Sequence, residues 1–479
     1  MKISLVHIQQ HRFSNPHIPC AIDEPAHLLG IKRSFEQGRK NRVLIHDFPV
    51  KAGMTFGKAF AALGKEIILA DPGVVAFSYY YEQDETLVDK KALFDLAREC
   101  RSVTVLGGPE ATYDTRESVE RYSPTFLVVG KGEVPASVLA ENDFDPQKVR
   151  NSSVFAGEID RTIILRAEKS PKNLLNSLPT DRPYSLSEYL FEAMIRTNSG
   201  CVGSCSFCPH DHEILIREPS LVLEEFRYLR REQNVTGFTY IGRDFTTHPG
   251  QANAIVAGLN RMEELSGTRL TLEVGLPTVW KAWSRANKDW ERLSSHFRLE
   301  LNVGLESTLA ERRLRLGKSR TLEASIRQSK YLESLLEHRP GTNPLVVFAQ
   351  LIPFDPDSTA EEVVADLENV YALMGKYFPR FIPVAGSLNN RLDIFPGTLV
   401  EDMYGGIDAT NLFKYFRKDK RVAVIYGFIE QSWRMVDHLA LEKKILTNEE
   451  WVSFYMEILK GYIATAKGLA AVTTLKKSV

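Results

Sequence analysis

Glu192-Ala193-Met194-Ile195-Arg196-Thr197-Asn198-Ser199-Gly200-Cys201-Val202-Gly203-Ser204-Cys205-Ser206-Phe207-Cys208 sets three cysteines within eight residues, directly after a short run of strand character over Glu192–Arg196. The remaining cysteines, Cys20 and Cys100, stand alone, and an odd total of five argues against a disulfide framework. Three thiols this close in one loop can instead wrap one face of a compact metal centre. Two chemistries fit the spacing. Zinc would take a fourth ligand, with His210 or His212 completing a Cys3His set. An iron–sulfur cubane held by three protein thiolates leaves one iron open to a chelating substrate.

Outward from this loop the pattern is of alternating strands and helices. Strand-like runs follow at Gly237–Ile241, Arg269–Val274, Arg298–Val303, Leu345–Ile352 and Arg380–Pro383. Helical stretches lie between them at Ser220–Glu232, Gly250–Leu265, Trp280–Ser294, Leu322–Glu337 and Thr359–Met374. Six βα units in series suit a partial parallel barrel over residues 186–400. Upstream, the runs Ile3–Ile8, Arg42–Asp47, Val74–Tyr79, Val103–Leu106 and Phe126–Val129 alternate with helical stretches at Ala26–Gln37, Phe56–Leu63, Leu87–Arg101 and Ser118–Tyr122. Strands apolar on both faces predict a parallel sheet covered on both sides, a doubly wound, Rossmann-like domain over residues 1–150. Its fourth strand runs into Gly107-Gly108-Pro109 and its fifth into Gly130-Lys131-Gly132-Glu133. Glycines at strand carboxyl ends let the backbone approach a ligand in the sheet crevice, although tight turns use them equally. Residues 151–185, with Pro171, Pro179 and Pro183, read as an irregular linker, and residues 401–479 as a helical region. The fold class is therefore α/β.

Composition narrows the partners. Sixty Lys and Arg against 61 Asp and Glu leave a net charge of −1 over 479 residues, which gives no whole-chain reason to bind nucleic acid or an anionic membrane. Hydrophobic residues at 43% are too many for disorder, and no run approaches the ~18 apolar residues of a membrane span. The start lacks a secretory h-region, so the expectation is a soluble, cytoplasmic protein.

Asn198-Ser199-Gly200-Cys201, with Phe207 immediately before Cys208, resembles the signature of the radical S-adenosylmethionine (SAM) superfamily. The resemblance continues at later strand ends. Tyr240-Ile241-Gly242-Arg243-Asp244-Phe245-Thr246 sits where the family carries a Gly-Gly-Glu-type motif that touches the methionine amino group; here Arg243 replaces the second glycine and Asp244 the glutamate. Asn302-Val303-Gly304-Leu305-Glu306-Ser307 is similar to the Gly-x-Glu-Ser segment that approaches the ribose and carboxylate, and Leu316-Gly317-Lys318 follows at the usual distance. Gln350-Leu351-Ile352-Pro353 and Phe395-Pro396-Gly397-Thr398 match the last two strand endings. The resemblance spans roughly residues 190–400. It implies a 4Fe-4S cluster on Cys201, Cys205 and Cys208, with SAM against Gly242, Asp244, Gly304, Glu306 and Ser307. It also implies a small-molecule substrate and an electron donor such as flavodoxin or ferredoxin.

The first 150 residues resemble the cobalamin-binding domain joined to many such enzymes, through Val74–Ser78, Leu106–Thr112 and Val129–Glu133, which implies a cofactor site at Gly107, Gly108 and Gly130. Cobalamin domains that ligate cobalt carry Asp-x-His-x-x-Gly after the first strand; here Gln9-Gln10-His11-Arg12-Phe13-Ser14 has neither the aspartate nor the glycine. Cobalamin then binds without a histidine ligand, or the domain has become scaffold. If it binds, methyl transfer to carbon is the leading expectation. Two alternatives stand beside this one. The departures at Gly242–Asp244 and at the missing histidine leave room for 3-amino-3-carboxypropyl transfer to a small thiophilic acceptor, even arsenite in an arsinothricin-type pathway, with the cluster His7, His11, His17 and Cys20 as its site. A zinc- or cobalamin-binding sensor is the non-enzyme alternative. Cys100 reads as a buried small hydrophobe. The basic run Lys414, Arg417, Lys418, Lys420 and Arg421, interrupted by Asp419, reads first as a solvated face and second as a dock for an acidic electron carrier.

Overall fold

Strands separated by helices of ten or more residues can pair side by side only in parallel, with each helix as the crossover. The computed structural model contains two sheets built this way. It describes residues 1–8, 31–32, 34–36, 41–47, 56–79, 87–108, 111–112, 115–167, 175–177, 192–208, 213–337, 345–383, 392, 398–404, 411–443 and 448–471. The chain divides into two compact units, Met1–Arg196 with Arg231–Val235, and Thr197–Arg230 with Thr236–Val479.

The first sheet contains β1 (Lys2–Ile8), β2 (Arg42–Asp47), β3 (Val74–Tyr79), β4 (Val103–Gly107), β5 (Phe126–Gly130), β6 (Phe155–Ile159) and β7 (Thr162–Ala167), in the order β2-β1-β3-β4-β5-β7-β6. Parallel registers run from β2 through β5 to β7, and β6 returns antiparallel at the edge. The order reverses at β1, so right-handed crossovers place helices on both faces. Two apolar layers result. One packs Val75, Phe77, Leu106 and Leu127 against Leu63, Phe94, Val119 and Tyr122. The other packs Val74, Ala76, Val105 and Phe126 against Phe35, Ala136 and Leu139. Residues 151–185 depart from the expected irregular linker: β6 and β7 lie inside it and lengthen this sheet. The signal was Thr162-Ile163-Ile164-Leu165, a strand-forming run masked by its short length and polar neighbours.

The second sheet contains β8 (Glu192–Ile195), which is paired at its edge, then, past the short antiparallel pair β9 (Asn198–Ser199) and β10 (Leu215–Ile216), β11 (Gly237–Tyr240), β12 (Arg269–Val274), β13 (Arg298–Glu306), β14 (Val346–Leu351) and β15 (Phe381–Pro383). Its order β15-β14-β13-β12-β11-β8 follows the sequence without reversal, and β11 to β15 are parallel throughout. Successive right-handed crossovers then put every helix on one face and leave the other free, the geometry of a partial barrel. The side chains record it. In β13, Leu299, Leu301 and Val303 are fully buried while Glu300, Asn302 and Gly304 between them are half-open. In β14, Val347, Ala349 and Leu351 are buried, Phe348 half-open and Gln350 exposed.

From residue 56 onward helices fall close to their expected positions, with one division, whereas the expected helix Ala26–Gln37 lies largely outside the described residues. The stretch expected as a single helix over Trp280–Ser294 is two, Leu276–Arg285 and Asn287–His296, because Ala286 leaves helical geometry at φ −138° and ψ 46°. The C-terminal region is helical at Leu399–Tyr404, Leu412–Tyr415, Arg421–Lys443 and Asn448–Ala471. Among the described residues, no helix is long and apolar enough to cross a membrane.

Candidate active site

The cysteine loop leaves the sheet after β8, and the antiparallel pair β9–β10 ties its two ends together, Leu215 opposite Ser199 and Ile216 opposite Asn198. Cys201, Cys205 and Cys208 are all free thiols and all half-buried. The Gly203 N–H points at Cys201 Sγ, 3.2 Å away, and the Cys208 N–H donates to the Cys205 carbonyl at 3.2 Å, a tight turn that keeps the last two cysteines adjacent. Among the described residues, no three His, Cys, Asp or Glu side chains converge on one metal ion. His210 and His212, the expected fourth zinc ligands, lie outside the described residues.

The carboxyl end of β13 meets this loop. The Ser206 N–H donates to the Leu316 carbonyl at 3.2 Å. Gly317 follows with φ +68°, and a Cβ there would sit 2.7 Å from Ser206 N and 3.2 Å from Ser204 O, so only glycine fits the contact. Lys318 then turns inward and pairs with Glu306 at 2.8 Å. Glu306 itself has φ +60° where the β13–β14 register shifts past Gly304, so the irregularity re-aims its side chain off the strand. Gly304 completes the pocket: a Cβ would come 2.8 Å from Glu306 Oε1 and 3.0 Å from Lys318 Nζ. Burial works against the Lys318 charge, but Glu306 and the thiols of Cys205 and Cys201 outweigh it and raise its pKa above the usual lysine value. Burial pushes the Cys205 thiol up, and Lys318 opposes that push.

The other residues expected to touch a ligand are placed differently. Asp244 is buried, and its carboxylate accepts from the Thr246 N–H at 2.8 Å, the Thr246 hydroxyl at 2.6 Å and the Thr278 hydroxyl at 2.6 Å. It anchors the β11 turn to the start of the helix Leu276–Arg285. Burial raises its pKa, against the pull of those donors. Gly242 lies beneath the Tyr240 ring, whose hydroxyl donates to Asn198 Oδ1; Asn198 Nδ2 in turn donates to the Asp244 carbonyl at 3.0 Å. The Ser307 hydroxyl donates to Asp366 at 2.6 Å. Asp366 also receives Arg312, which bridges to Asp355 at 2.9 Å and to the Ile352 carbonyl at 3.1 Å. Gly304 and Glu306 thus border the cysteine loop, while Asp244 and Ser307 belong to the framework beneath it. Spacing did not single out the Thr278 hydroxyl or the Arg312–Asp355–Asp366 network, because their partners are tens of residues away in sequence.

In the first unit, Gly107, Gly108 and Gly130 close the ends of β4 and β5. The Thr112 hydroxyl joins the two turns, donating to the Gly108 carbonyl at 2.9 Å and accepting from the Gly130 N–H at 3.0 Å. The segment Gln9–Ser14 and the side chains of His7, His11, His17 and Cys20 lie outside the described residues. Cys100 is half-buried, just past its helix rather than in the core. In the basic run, Arg421 pairs with Asp419 and Glu361 at 2.7 Å, Arg417 lies over the Tyr404 ring, and Lys420 donates to the Phe413 carbonyl. These three groups are engaged locally, and Arg421 is largely buried in its pair with Asp419.

No protein-family model and no curated protein sequence matches the chain. Solved structures do. OxsB, described as a cobalamin-dependent S-adenosylmethionine radical enzyme, matches in its apo form with a TM-score of 0.69 at 14% identity, over 98% of this chain and 72% of that one. Its form with aqua-cobalamin and S-adenosylmethionine bound gives 0.70 at 14% identity, over 97% and 71%. The radical S-adenosylmethionine methyltransferase TsrM from Kitasatospora setae, with cobalamin and a [4Fe-4S] cluster bound, gives 0.61 at 17% identity, over 85% and 79%. The chain therefore has the two-sheet α/β fold of these enzymes.

Proposed function

We propose that this chain is a radical SAM enzyme that cleaves S-adenosylmethionine reductively to modify a small molecule, with C-methylation as the leading outcome. The observation that carries the proposal is the cysteine loop itself. Three half-buried thiols follow the first strand of a sequentially ordered sheet, packed against the Gly317–Lys318 turn and the Glu306 strand end. Catalytic groups of βα barrels gather at strand carboxyl ends, so the fold and the thiols agree on one location. Cys201, Cys205 and Cys208 would hold a 4Fe-4S cluster, which when bound supplies the electron for SAM cleavage.

The chain's own residues provide the setting. The half-open face of β13 and β14, with Glu300, Asn302 and Gln350, offers polar groups toward the barrel interior. Asp244 and Arg312 hold the β11, β13 and β14 ends in register. The first unit fits a cobalamin site in its backbone: the strand order reverses beside β1, and Thr112 fastens two glycine turns at the same sheet edge. Relatives of this fold that bind cobalamin support the same reading. Electrons would come from a one-electron protein donor such as flavodoxin or ferredoxin.

The test is mass spectrometry of SAM products from anaerobically reconstituted, dithionite-reduced protein. 5′-Deoxyadenosine or S-adenosylhomocysteine with a methylated product is the expected result. 5′-Methylthioadenosine alone would replace it with aminocarboxypropyl transfer, and one zinc per chain with no iron would replace it with a sensor.

A further inference from the structure

A buried cation beside a redox centre is an electrostatic device, and this chain builds one with some care. Lys318 is 16% exposed and its single carboxylate partner described is Glu306, 8% exposed, at 2.8 Å. The backbone fixes both. The Lys318 N–H donates to the Arg313 carbonyl at 2.9 Å, and Gln328 Nε2 donates to the Lys318 carbonyl at 2.9 Å. Glycine at 304 leaves room for the pair, and glycine at 317 brings the turn against the cysteine loop at Ser204 and Ser206. The charge of Lys318 is felt at Cys205 and Cys201. Such a pair is poorly screened by salt, and its field acts on whatever the thiols hold.

We propose that Lys318 is a positioning residue that raises the reduction potential of the cluster held by Cys201, Cys205 and Cys208, and that Glu306 tempers it. This rests on the function proposed above. Reduction adds one electron, delivered by dithionite or a one-electron protein donor, and so adds one negative charge beside the ammonium. Net charge near an iron–sulfur cluster is one of the levers on its potential. The two members of the pair therefore act with opposite sign. Removing the ammonium disfavours the reduced state, and removing the carboxylate favours it. A purely structural role would move both variants the same way.

The experiment is a potentiometric titration followed by electron paramagnetic resonance, without SAM, on reconstituted wild type, K318M, K318R and E306Q, each assayed for iron and by circular dichroism. K318R should overlay the wild type. K318M should show a reduced-to-oxidised ratio about tenfold lower at a fixed potential, ~59 mV for one electron, and E306Q should shift oppositely. Iron-loaded variants at the wild-type potential, or K318M and E306Q moving together, would overturn the proposal. If K318M holds no iron, the direction of E306Q against K318R decides it. A wild type that takes up no iron overturns the cluster reading and this inference with it, whereas a loaded wild type with unmoved variants overturns this inference alone.

Discussion

The two parallel sheets of this chain are made from the same kind of βα unit and differ in strand order. In the first, the order reverses at β1, helices cover both faces, and the strands are buried on both sides: four consecutive residues in β5 and again in β7 are buried. In the second, the order never reverses, helices cover one face, and every other residue of β13 stays half-open. A reversal creates a crevice at one sheet edge, whereas a sequential order creates a whole open face. That open face must be held in shape by something other than apolar packing. The second unit does so with charge at its strand ends and just outside them, through Arg312–Asp355, Arg312–Asp366, Arg217–Glu225 and the Asp244 cap.

The strongest way to break the comparison is at the cysteines. Replacing Cys201, Cys205 or Cys208 by alanine should take iron from about four per chain toward zero and abolish SAM cleavage, while aquacobalamin binding to the first unit, read by absorbance, stays unchanged. Retained turnover would remove the functional distinction between the sheets. Next in size is the charge network. R312M leaves Asp366 buried without its cation and Asp355 with Arg315 alone, and urea unfolding of the variant should register a loss of about 3–5 kcal/mol. A D244A variant strands the Thr246 and Thr278 donors and should cost roughly 1–3 kcal/mol by the same assay.

Acid titration sharpens the contrast further. Burial alone would raise the Asp355 pKa, but Arg312 and Arg315 outweigh it and hold it at about 2. A carboxyl depressed on folding stabilises the native state above its unfolded pKa, and that contribution is lost as pH falls from about 4 through 2. It amounts to roughly 2 kcal/mol. Unfolding followed between pH 4 and 2 should show a steeper acid slope in the wild type than in D355N; equal slopes would mean the ion pair does not set it. The smallest effect belongs to the first unit. T112V unties the Gly108 and Gly130 turns and should weaken aquacobalamin binding by about fivefold, from roughly 1 kcal/mol of hydrogen bonding.

Much of this was legible in the residues. The alternation Arg298-Leu299-Glu300-Leu301-Asn302-Val303 already separates a buried face from an open one, and the β-branched runs of the first 130 residues already demand cover on both sides. Three elements escaped. β6 and β7 were hidden in a short polar stretch whose pairing with β5 is a long-range event. Ala286 divides a helix for which the periodicity is continuous. The partners of Asp244 and Ser307 were hidden as well, since a motif names a residue without recording that its polar atoms bond Thr278 and Asp366.

By itself, the sequence determined the α/β class, the two series of strands and the loop that carries three thiols, because periodicity, turn residues and ligand spacing are local properties. Only the tertiary structure decided which polar groups are held beneath the site and which stand beside it. Asp244 with Thr278, Arg312 with Asp355 and Asp366, and Lys318 with Glu306 are joined across 34, 43, 54 and 12 residues of chain. The energy of a buried charge depends on what the fold brings to it, and no local pattern records that.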